Sequence, residues 1–399
     1  MMKITFISNY LTHHQIPFSE KMAEFPGIEY YFISTLPMEE ERVAMGWSCR
    51  EIYPYEIKAY QSAELQQKAE RLAEESDVVI IGSAPDSYIA SRLKQKRLTF
   101  RYAERFYKQG LNIKNIGRAF AGSLLHHRKY RKSPLYMLCA SAYTAVDGAV
   151  FGNYIGKTFR WGYFPQLEEY DIDTLMDQKV GNLTKRVNQQ ITILWAGRLL
   201  PWKHPDAMLD IAEQLKKSGY DFEMQIIGIG EMQEKLEQIM VEKNLSDCVS
   251  LLGAMKPEYV RKYMEQADIF VFTSDFNEGW GAVLNEAMNS GCAVVASHAI
   301  GSVPFLIEDK KNGLIYQNGN QEALESKVMW LLDHPNERRK LGENAYLTIR
   351  DLWNAQIAAS RFVKLSEMLL KGENVEMLFK EGPCSRAKIL KNDWYIDKE

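Results

Sequence analysis

Short runs of apolar residues alternate with amphipathic stretches along most of this 399-residue chain. In the first half, the pattern predicts a helix at Ile16–Glu24 and buried strands at Lys3–Ser8, at Val78–Gly82, near Leu98–Tyr102 and at Gly148–Phe151. Continuous apolar runs followed by helical periodicity are typical of parallel strands that helices cover on both faces. The first half is therefore predicted to form an α/β domain with a parallel sheet.

A more regular series of the same kind occupies the second half. Its predicted strands are Ile191–Ala196, Phe222–Ile227, Val249–Leu252, Ile269–Thr273 and Ala293–Ala296. The helices predicted between them are His204–Lys217 and three that begin at Glu231, at Pro257 and at about Gly281. This alternation predicts an α/β fold with two doubly wound, parallel-sheet, Rossmann-like domains facing a cleft.

The polar segment Tyr170–Asn188 lacks a clear apolar period, and we interpret it as the linker between the domains. A chain of this length suits two domains of ordinary size. The predicted domains are 1–175 and 176–350, followed by a last segment at 351–399. That segment holds a late helix, Asp351–Leu370, and a charged tail that we expect to return toward the first domain.

Composition narrows the class of protein. Charged residues make up 25% and hydrophobic residues 46% of the chain, close to the globular average, which excludes disordered and collagen-like proteins. Five cysteines form no C-x-x-C pair, and their odd number favours a reduced, intracellular protein. The first residues do not resemble a signal peptide, and no apolar run approaches the ~20 residues of a membrane span. We therefore expect a cytoplasmic protein, at most peripherally bound to a membrane.

The most informative stretch begins at Thr273 and reads Thr-Ser-Asp-Phe-Asn-Glu-Gly-Trp-Gly-Ala-Val-Leu-Asn-Glu-Ala-Met. It predicts the end of a strand, a loop with Gly279 and Gly281, and the start of a helix. Glycines let an anionic group approach the unpaired amides of a helix N-terminus closely. Glu278 and Glu286 bracket this loop, and ionised carboxylates accept hydrogen bonds from sugar hydroxyls. The combination predicts a sugar-nucleotide site; a glycine-rich turn before an ordinary helical Glu is the alternative.

Loops after three other strands of this half carry further candidates. Arg198 and Lys203 follow the first strand, where ligands of open α/β sheets bind, and two cations there suit a diphosphate. Solvated surface cations are the alternative. Gly228 and Gly230 follow the second strand and lack the third glycine and the downstream acid of a dinucleotide fingerprint, so a tight turn is the commoner interpretation. Met255, after the third strand, is positioned to border a base.

Taken together, these segments resemble the donor-binding domain of glycosyltransferase family 4, retaining enzymes of the GT-B fold that are also called glycosyl transferases group 1. The resemblance runs from about Ile191 to Tyr316. The segments that carry it are Gly197-Arg198-x4-Lys203, Gly228-x-Gly230, the E-x7-E pattern from Glu278 to Glu286, Ala287–Gly291, Val294–Ala296, Gly301–Pro304 and Asn312–Ile315. One departure is Phe305, which stands where the family usually has Glu.

The resemblance implies a role for each candidate of the second half. Arg198 and Lys203 would hold the nucleotide diphosphate. Glu278 would contact hydroxyls of the donor sugar, and Glu286 would contact the ribose. The amides that would line the sugar and phosphate site are those of Gly279, Trp280, Gly281, Ala282 and Val283.

The first half resembles the family more weakly, and its candidates keep two interpretations. His13 and His14 lie in the first strand–helix loop, without the paired glycines common there; they either contact the donor or are solvated histidines at a helix start. Glu104 stands where the family often has a histidine that contacts the donor sugar. It either takes that histidine's place or forms a salt bridge with Arg101 or Arg105.

In the implied reaction, the bond between the anomeric carbon and the diphosphate of a nucleotide sugar breaks, with retention of configuration. Arg198, Lys203 and the helix N-terminus near Gly281 would stabilise the charge that grows on the leaving group. We therefore expect no cofactor and no metal requirement. The triplet Asp171-Ile-Asp173 matches the D-x-D metal motif of another glycosyltransferase fold by chance, because it lies in the predicted linker.

Three other functions compete with glycosyl transfer. The runner-up is a sugar-nucleotide epimerase or hydrolase of the same fold, which would act on the donor without an acceptor. A glycosidase would use two carboxylates such as Glu278 and Glu286, but Arg198 and Lys203 would then be unexplained. A non-catalytic binding module would not need all four of these residues.

The net charge of −3 hides an uneven distribution. The segment 92–132 holds thirteen Lys or Arg and one acid, a net charge of +12, which leaves −15 for the rest of the chain. Basic residues interleaved with aromatic and apolar ones suit an anionic membrane surface. A solvated face, or one paired with the protein's own acids, is the alternative, and no nucleic-acid motif accompanies the segment.

The expected partners follow from these observations. They are a nucleotide-diphosphate sugar and a saccharide or lipid-linked saccharide acceptor of surface polysaccharide assembly. The basic segment 92–132 is expected to dock the protein on the cytoplasmic leaflet, and no nucleic-acid partner is expected.

Overall fold

The computed structural model describes residues 1–40, 43, 52–108, 110–185 and 190–397. The chain divides into two compact units. The first comprises Met1–Gln166 and Trp353–Lys391, and the second comprises Leu167–Leu352 and Asn392–Glu399. Most of the predicted last segment, 351–399, thus belongs to the first unit, and its end belongs to the second.

Both units are built from strands that alternate with helices. The described strands are β1 (Met2–Ser8), β2 (Ile28–Ser34), β3 (Glu56–Lys58), β4 (Val78–Ile81), β5 (Thr99–Ala103), β6 (Leu135–Cys139), β7 (Thr158–Arg160), β8 (Ile191–Ala196), β9 (Phe222–Ile227), β10 (Val249–Gly253), β11 (Ile269–Phe272), β12 (Ala293–Ser297) and β13 (Leu314–Tyr316). The described α-helices are α1 (Ile16–Ala23), α2 (Ala63–Glu75), α3 (Ser87–Lys94), α4 (Ile116–His126), α5 (Thr144–Ala149), α6 (Ile172–Lys185), α7 (Asp206–Lys217), α8 (Gln233–Glu242), α9 (Pro257–Gln266), α10 (Val283–Asn289), α11 (Val303–Leu306), α12 (Gln321–Asp333), α13 (Pro335–Asp351) and α14 (Ala355–Leu370).

The sheet of the first unit has the strand order β3-β2-β1-β4-β5-β6-β7, and neighbouring strands pair in parallel. The order reverses between β1 and β4. In open α/β sheets, ligands bind beyond the carboxyl ends of the strands at such a reversal. The loops after β1 and β4 therefore flank the expected ligand site of this unit, and the loop after β5 lies next to them.

The sheet of the second unit has the order β10-β9-β8-β11-β12-β13, again with parallel neighbours. Here the order reverses between β8 and β11. The loops that follow these two strands are the ones in which the sequence placed its strongest candidates. The predicted α/β fold of two parallel-sheet domains is thus confirmed.

Helix α14 closes the core of the first unit although it lies far along the chain. The ring centroid of Phe362 lies 5.0 Å from that of Phe100, 5.7 Å from that of Trp161 and 6.3 Å from that of Phe18. All four side chains are buried. Aromatic pairs at these separations add to the stabilisation from burial, so the late helix is an integral part of this unit.

Some local predictions are wrong. Gly148–Phe151 is not a strand, because α5 covers Thr144–Ala149 and turns follow it. Short apolar runs do not distinguish a strand from a buried helix end. Five of the described strands were not predicted: β2 and β6 inside the first sheet, β3 and β7 at its edges, and β13 at the edge of the second sheet.

The predicted linker is also wrong in its described part, because helix α6 occupies Ile172–Lys185. The Asp171 carboxylate accepts a hydrogen bond from Thr174 N at 2.9 Å and so caps this helix. Asp173 lies 3.7 Å from the Arg339 guanidinium. The D-x-D triplet is thus a helix start, and 186–188 of the predicted linker lie outside the described residues.

Candidate functional site

Two loops of the second unit meet where its strand order reverses. One follows β8 and holds Lys203, and the other follows β11 and holds Glu278. Asp275 N donates to the Trp202 carbonyl at 3.0 Å, and Thr273 Oγ1 donates to the Lys203 carbonyl at 2.5 Å. These bonds fix the loops to each other and bring together side chains 75 positions apart in the sequence.

Lys203 and Glu278 form an ion pair at this junction. Lys203 Nζ lies 2.6 Å from Glu278 Oε2, and the two side chains are only 11% and 12% exposed. Ser274 Oγ donates to the same oxygen at 3.0 Å, whereas Oε1 has no partner among the described residues. The ammonium also lies 4.8 Å from the ring centroid of Trp202, within cation–π range. Lys203 is therefore not a solvated surface cation.

The loop before α10 is held from below by buried aromatic rings. Gly281 has φ +80°, and a Cβ there would lie 2.6 Å from the ring of Phe272. The Trp280 side chain is fully buried, and its Nε1 donates to Asn285 Oδ1 at 2.8 Å. The Trp280 side chain thus anchors the loop. The role that the resemblance implies for this residue falls to its backbone amide alone.

The helix after this loop is short, since α10 has seven residues. The amides of Gly279, Gly281 and Ala282 donate to no backbone carbonyl within the described part of the chain. The positive end that we predicted from a helix N-terminus therefore consists mainly of these loop amides, with Val283 opening the helix.

Gly228 and Gly230 are required by packing. Their φ angles are +141° and +159°. A Cβ on Gly228 would lie 1.8 Å from the Gly197 carbonyl oxygen, and one on Gly230 would lie 2.5 Å from the Leu199 carbonyl oxygen. Leu199 N donates to the Ile229 carbonyl at 2.9 Å. The pair is a tight turn, as the sequence favoured, and it supports the backbone on either side of Arg198.

The remaining candidates of this unit lie around the same edge. Arg198 is exposed directly after β8. Glu286, in α10, is half-buried, and burial raises the pKa of its carboxyl, while the nearby Arg261 guanidinium opposes this shift. Arg261 Nη1 donates to the Glu286 carbonyl at 3.1 Å. Met255 is half-buried in the loop after β10, the edge strand of the sheet.

Phe305, which stands where the resembled family usually has Glu, makes a packing contact. Its ring centroid lies 6.2 Å from that of Trp280. The side chain that distinguishes this chain from the family pattern thus packs on the residue that anchors the glycine loop.

In the first unit, Glu104 lies after β5 in a polar network. Tyr163 Oη donates to Glu104 Oε1 at 2.8 Å, and Lys108 Nζ donates to Oε2 at 2.9 Å. Burial, the first cause, raises the pKa of Tyr163 well above its usual range. The ring of His14 lies 5.7 Å from that of Tyr163, and the rings of His13 and His14 are 3.8 Å apart. The structure thus brings His14 and Glu104 to the same tyrosine.

The proposed salt bridges from Glu104 to Arg101 or Arg105 are wrong. Arg101 Nη2 donates to Asp86 Oδ1 at 2.8 Å. Arg105 Nε lies 3.4 Å from Asp147 Oδ2, with both side chains 5% exposed. Burial raises the pKa of Asp147 although Arg105 opposes the shift. Each arginine already has a carboxylate of its own, which leaves Glu104 to Lys108 and Tyr163.

A cavity of about 500 Å³ opens beside the ends of β2 and β4. The polar side chains that line it belong to Thr35, Gln66, Ser83, Ser87 and Tyr88. Of the described residues that line it, none carries a carboxylate, an ammonium or a guanidinium. The cavity therefore suits an uncharged, hydroxylated ligand.

Comparison with known proteins finds a family match within the second unit. Residues 182–348 match the family model described as glycosyl transferases group 1. This match supports a GT-B glycosyltransferase. Over 192 residues, 47% of each chain, the protein is 29% identical to the amylovoran biosynthesis glycosyltransferase AmsK of Erwinia amylovora. Over 203 residues, it is 25% identical to a poly(ribitol-phosphate) alpha-N-acetylglucosaminyltransferase of Staphylococcus aureus, covering 50% of this chain and 41% of the relative. The chain spans about half the length of these curated relatives.

The fold is shared more widely than these sequences. The crystal structure of Anabaena Alr3699/HepE in complex with UDP superimposes with a TM-score of 0.65 at 15% identity, covering 91% of this chain and 99% of that one. At that identity the likeness shows the fold, which is the GT-B type. The assignment to family 4 stays a prediction, and none of these relatives supports the epimerase or hydrolase alternative.

Proposed function

We propose that the protein transfers a sugar from a nucleotide-diphosphate sugar to a hydroxyl of a saccharide or lipid-linked saccharide. The observation that carries this proposal is the Lys203–Glu278 pair at the reversal point of the second sheet, inside the segment that matches glycosyl transferases group 1. A cation and a hydroxyl acceptor at one point suit a ligand in which a phosphate adjoins a sugar.

In this reaction, the bond between the anomeric carbon and the diphosphate oxygen breaks, and the acceptor oxygen bonds to that carbon on the same face. The departing phosphate oxygen takes the proton of the acceptor hydroxyl. Arg198, Lys203 and the loop amides stabilise the charge that grows on the diphosphate. With these groups in place the reaction proceeds with retention and without a divalent metal.

The first unit supplies the acceptor side in this proposal. The uncharged cavity beside β2 and β4 suits the hydroxyls of a saccharide. The Erwinia relative is named for amylovoran biosynthesis, which supports an acceptor from surface polysaccharide assembly.

A ligand screen followed by a transfer assay tests the proposal. A nucleotide sugar at a hundredfold excess over its Kd stabilises the full-length protein by about 2.7 kcal/mol, which a thermal shift detects. The stabilising donor is then assayed with and without saccharide acceptors, and with and without EDTA. Acceptor-dependent transfer that survives EDTA supports both the transfer and the metal-free mechanism. Turnover of the donor that needs no acceptor contradicts transfer, and loss of activity in EDTA contradicts the metal-free mechanism.

We also propose that the first unit contacts an anionic membrane surface on the cytoplasmic side, through helix α4. The basic segment 92–132 is not one charged face, because Arg92, Arg101 and Arg105 are buried. Arg92 Nη2 donates to the Leu98 carbonyl at 2.7 Å, and burial lowers its pKa to about 9. The membrane contact must come from the rest of the segment.

Helix α4 and the residues just before it leave an apolar face in solvent. The large hydrophobic side chains on it are Ile113 (97% exposed), Ile116 (47%), Phe120 (43%), Leu124 (40%) and Leu125 (60%). Lys114 and Arg118, both exposed, flank this face. None of the described helices is long and apolar enough to cross a bilayer. An apolar face with basic flanks is typical of a helix that lies in the membrane interface.

Vesicle flotation tests the membrane contact. The double variant L124Q/L125Q should bind anionic vesicles at least about tenfold more weakly, because it removes two apolar side chains from the face that enters the membrane interface. The double variant V241Q/L370Q is the matched control, since Val241 and Leu370 are also exposed, at 71% and 47%. Equal binding by the two variants would remove α4 from the interface.

A further inference from the structure

A second cavity, of about 300 Å³, lies where β6 and β7 of the first unit begin. It is thus at the amino edge of the sheet, opposite the edge that holds Glu104 and the uncharged cavity. The lining residues that matter here are His127, Arg131, Lys132, Tyr154, Ile155 and Lys157. We call this cavity the basic pocket. Nothing in the proposed transfer reaction uses it.

The basic pocket carries an unbalanced positive charge. Among the described residues, its lining includes Arg131, Lys132 and Lys157 but no acidic residue. Arg131 and Lys132 are exposed and take part in no ion pair within the described part of the chain. Burial lowers the pKa of His127 to about 4, so this side chain is neutral at pH 7. Three cations thus share one concavity whose described lining contains no carboxylate.

The pocket is also a built structure. Lys157 Nζ donates to the Arg131 carbonyl at 3.0 Å and to the Ser133 carbonyl at 2.8 Å, which ties the two lining segments together. Tyr154 has φ +55°, a left-handed conformation that costs free energy in a residue other than glycine. Tyr154 Oη lies 2.7 Å from His127 Nδ1, which holds this conformation in place.

A further cation stands next to the pocket. Arg386 Nη1 donates to the Gly156 carbonyl at 2.6 Å, and its guanidinium lies 4.8 Å from the ring centroid of Phe159. The same guanidinium opposes the rise in the pKa of Tyr136 that burial causes. The positive potential therefore extends across the starts of β6 and β7.

From this geometry we infer that the basic pocket binds the phosphate of an anionic phospholipid headgroup. Guanidinium and ammonium groups are the side chains that recognise phosphate oxygens. Ile155, which lines the pocket, is 64% exposed, and His127 directly follows the apolar helix α4. A headgroup in the pocket therefore keeps its acyl chains beside apolar side chains.

This inference rests on the proposed membrane contact and is independent of glycosyl transfer. It turns a diffuse attraction into a site with a ligand. If the attraction is diffuse, vesicle affinity depends on the number of positive charges near the surface. If there is a site, vesicle affinity depends on particular side chains. The two explanations therefore differ in how they respond to equal charge changes at different places.

The test compares two double variants of the full-length protein that each lose one Lys and one Arg. R131Q/K132Q alters the pocket, and K114Q/R118Q alters the flank of α4. Binding is measured by flotation with vesicles of phosphatidylcholine and phosphatidylglycerol. Both variants should lose the affinity that any two surface cations contribute. The pocket variant should bind at least about fivefold more weakly than the flank variant. Equal losses would overturn the pocket and leave the membrane contact standing.

A soluble probe separates the pocket from the membrane. Glycerol phosphate, at constant ionic strength, should shift NMR signals of the wild-type protein near the pocket, and R131Q/K132Q should abolish those shifts while glycerol alone causes none. No shift with glycerol phosphate would overturn the site. If the protein binds glycerol phosphate but no vesicles, the phosphate that the pocket binds does not come from a lipid. The same conclusion follows if a single-stranded oligonucleotide displaces vesicles at a lower concentration than glycerol phosphate does.

Discussion

The two sheets place candidate groups at equivalent positions but build them differently. In the second unit, Gly228 and Gly230 let the loop after β9 lie against the backbone of the loop after β8, and Gly281 lets the loop after β11 lie on the Phe272 ring, beside one ion pair. In the first unit, Glu104 and Tyr163 come from loops after β5 and β7 and meet through side chains. A site made by close backbone approach requires glycines at fixed spacing. A site made by side chains from separate loops leaves no such local pattern.

The largest effect should come from the ion pair of the second unit. Replacing Lys203 with Met removes a cation from the diphosphate and leaves Glu278, 12% exposed, without its partner. We expect kcat/KM for transfer to fall by at least about 10³-fold. Stability should fall too, because breaking a buried pair costs about 3–5 kcal/mol.

The double variant K203M/E278Q separates these two effects. It removes both charges, so stability measured by urea unfolding should largely recover while transfer stays lost. The exposed pair Lys217–Glu213 provides the matched control, since its side chains are 66% and 30% exposed and K217M should change neither quantity much. Recovery of transfer in the double variant would contradict the assigned roles.

The next effect tests whether the glycines of the second unit are truly a packing requirement. G228A places a Cβ 1.8 Å from the Gly197 carbonyl oxygen, so the loop that carries Arg198 must move. We expect a loss of several kcal/mol in the free energy of unfolding, at the upper end for single substitutions. G219A is the control, because Gly219 also has positive φ, +77°, but a Cβ there meets nothing within 4 Å. It should cost about 1 kcal/mol.

The sequence predicted the second unit better than the first, and the structure shows why. Helices separate the short, largely apolar strands β8 to β12, and glycine motifs stand in the loops after β8, β9 and β11, so periodicity and motif agree. The sequence missed Ser274 and Trp202, which hold the ion pair, because a polar or aromatic residue in a loop has no characteristic spacing. It also did not predict that the Trp280 side chain is fully buried, because tertiary packing decides that burial.

In the first unit, the sequence did not predict Tyr163, the residue that contacts both Glu104 and His14. Tyr163 lies just after β7, a three-residue strand too short to give a periodic signal. Its partner Glu104 is 59 positions away, and nothing in either segment announces the other. The same holds for Arg105 and Asp147, whose pairing overturned one interpretation of Glu104. Long-range side-chain pairs follow from the fold, which the local pattern does not specify in enough detail.

A smaller effect should come from the network of the first unit. E104Q removes the charge that Lys108 and Tyr163 share, and we expect kcat/KM to fall about 30-fold. Y163F removes a single hydrogen bond and should cost about fivefold. The chain offers a matched control in Glu29, which accepts from Tyr31 Oη at 2.7 Å and lies 3.7 Å from Lys3 Nζ, far from the carboxyl edge of the sheet. E29Q with the same loss of activity as E104Q would remove Glu104 from the site.

The smallest effect is a pH dependence of stability that comes from Glu286 in the second unit. Burial raises the pKa of Glu286 above its usual 4.5, so between the two values the folded protein binds a proton that the unfolded chain has released. Stability from this group therefore falls as pH rises through that window and stays reduced above it. E286Q removes the titration, so its Tm relative to wild type should be higher at pH 8 than at pH 4, where wild-type Glu286 is protonated in the folded state.

If Glu286 also binds the ribose, nucleotide affinity of E286Q should fall while its Tm without ligand rises. If E286Q gains stability and keeps full nucleotide affinity, Glu286 does not bind the ribose. The Lys203–Glu278 pair would then be the part of the second unit's site that the comparison of the two sheets depends on.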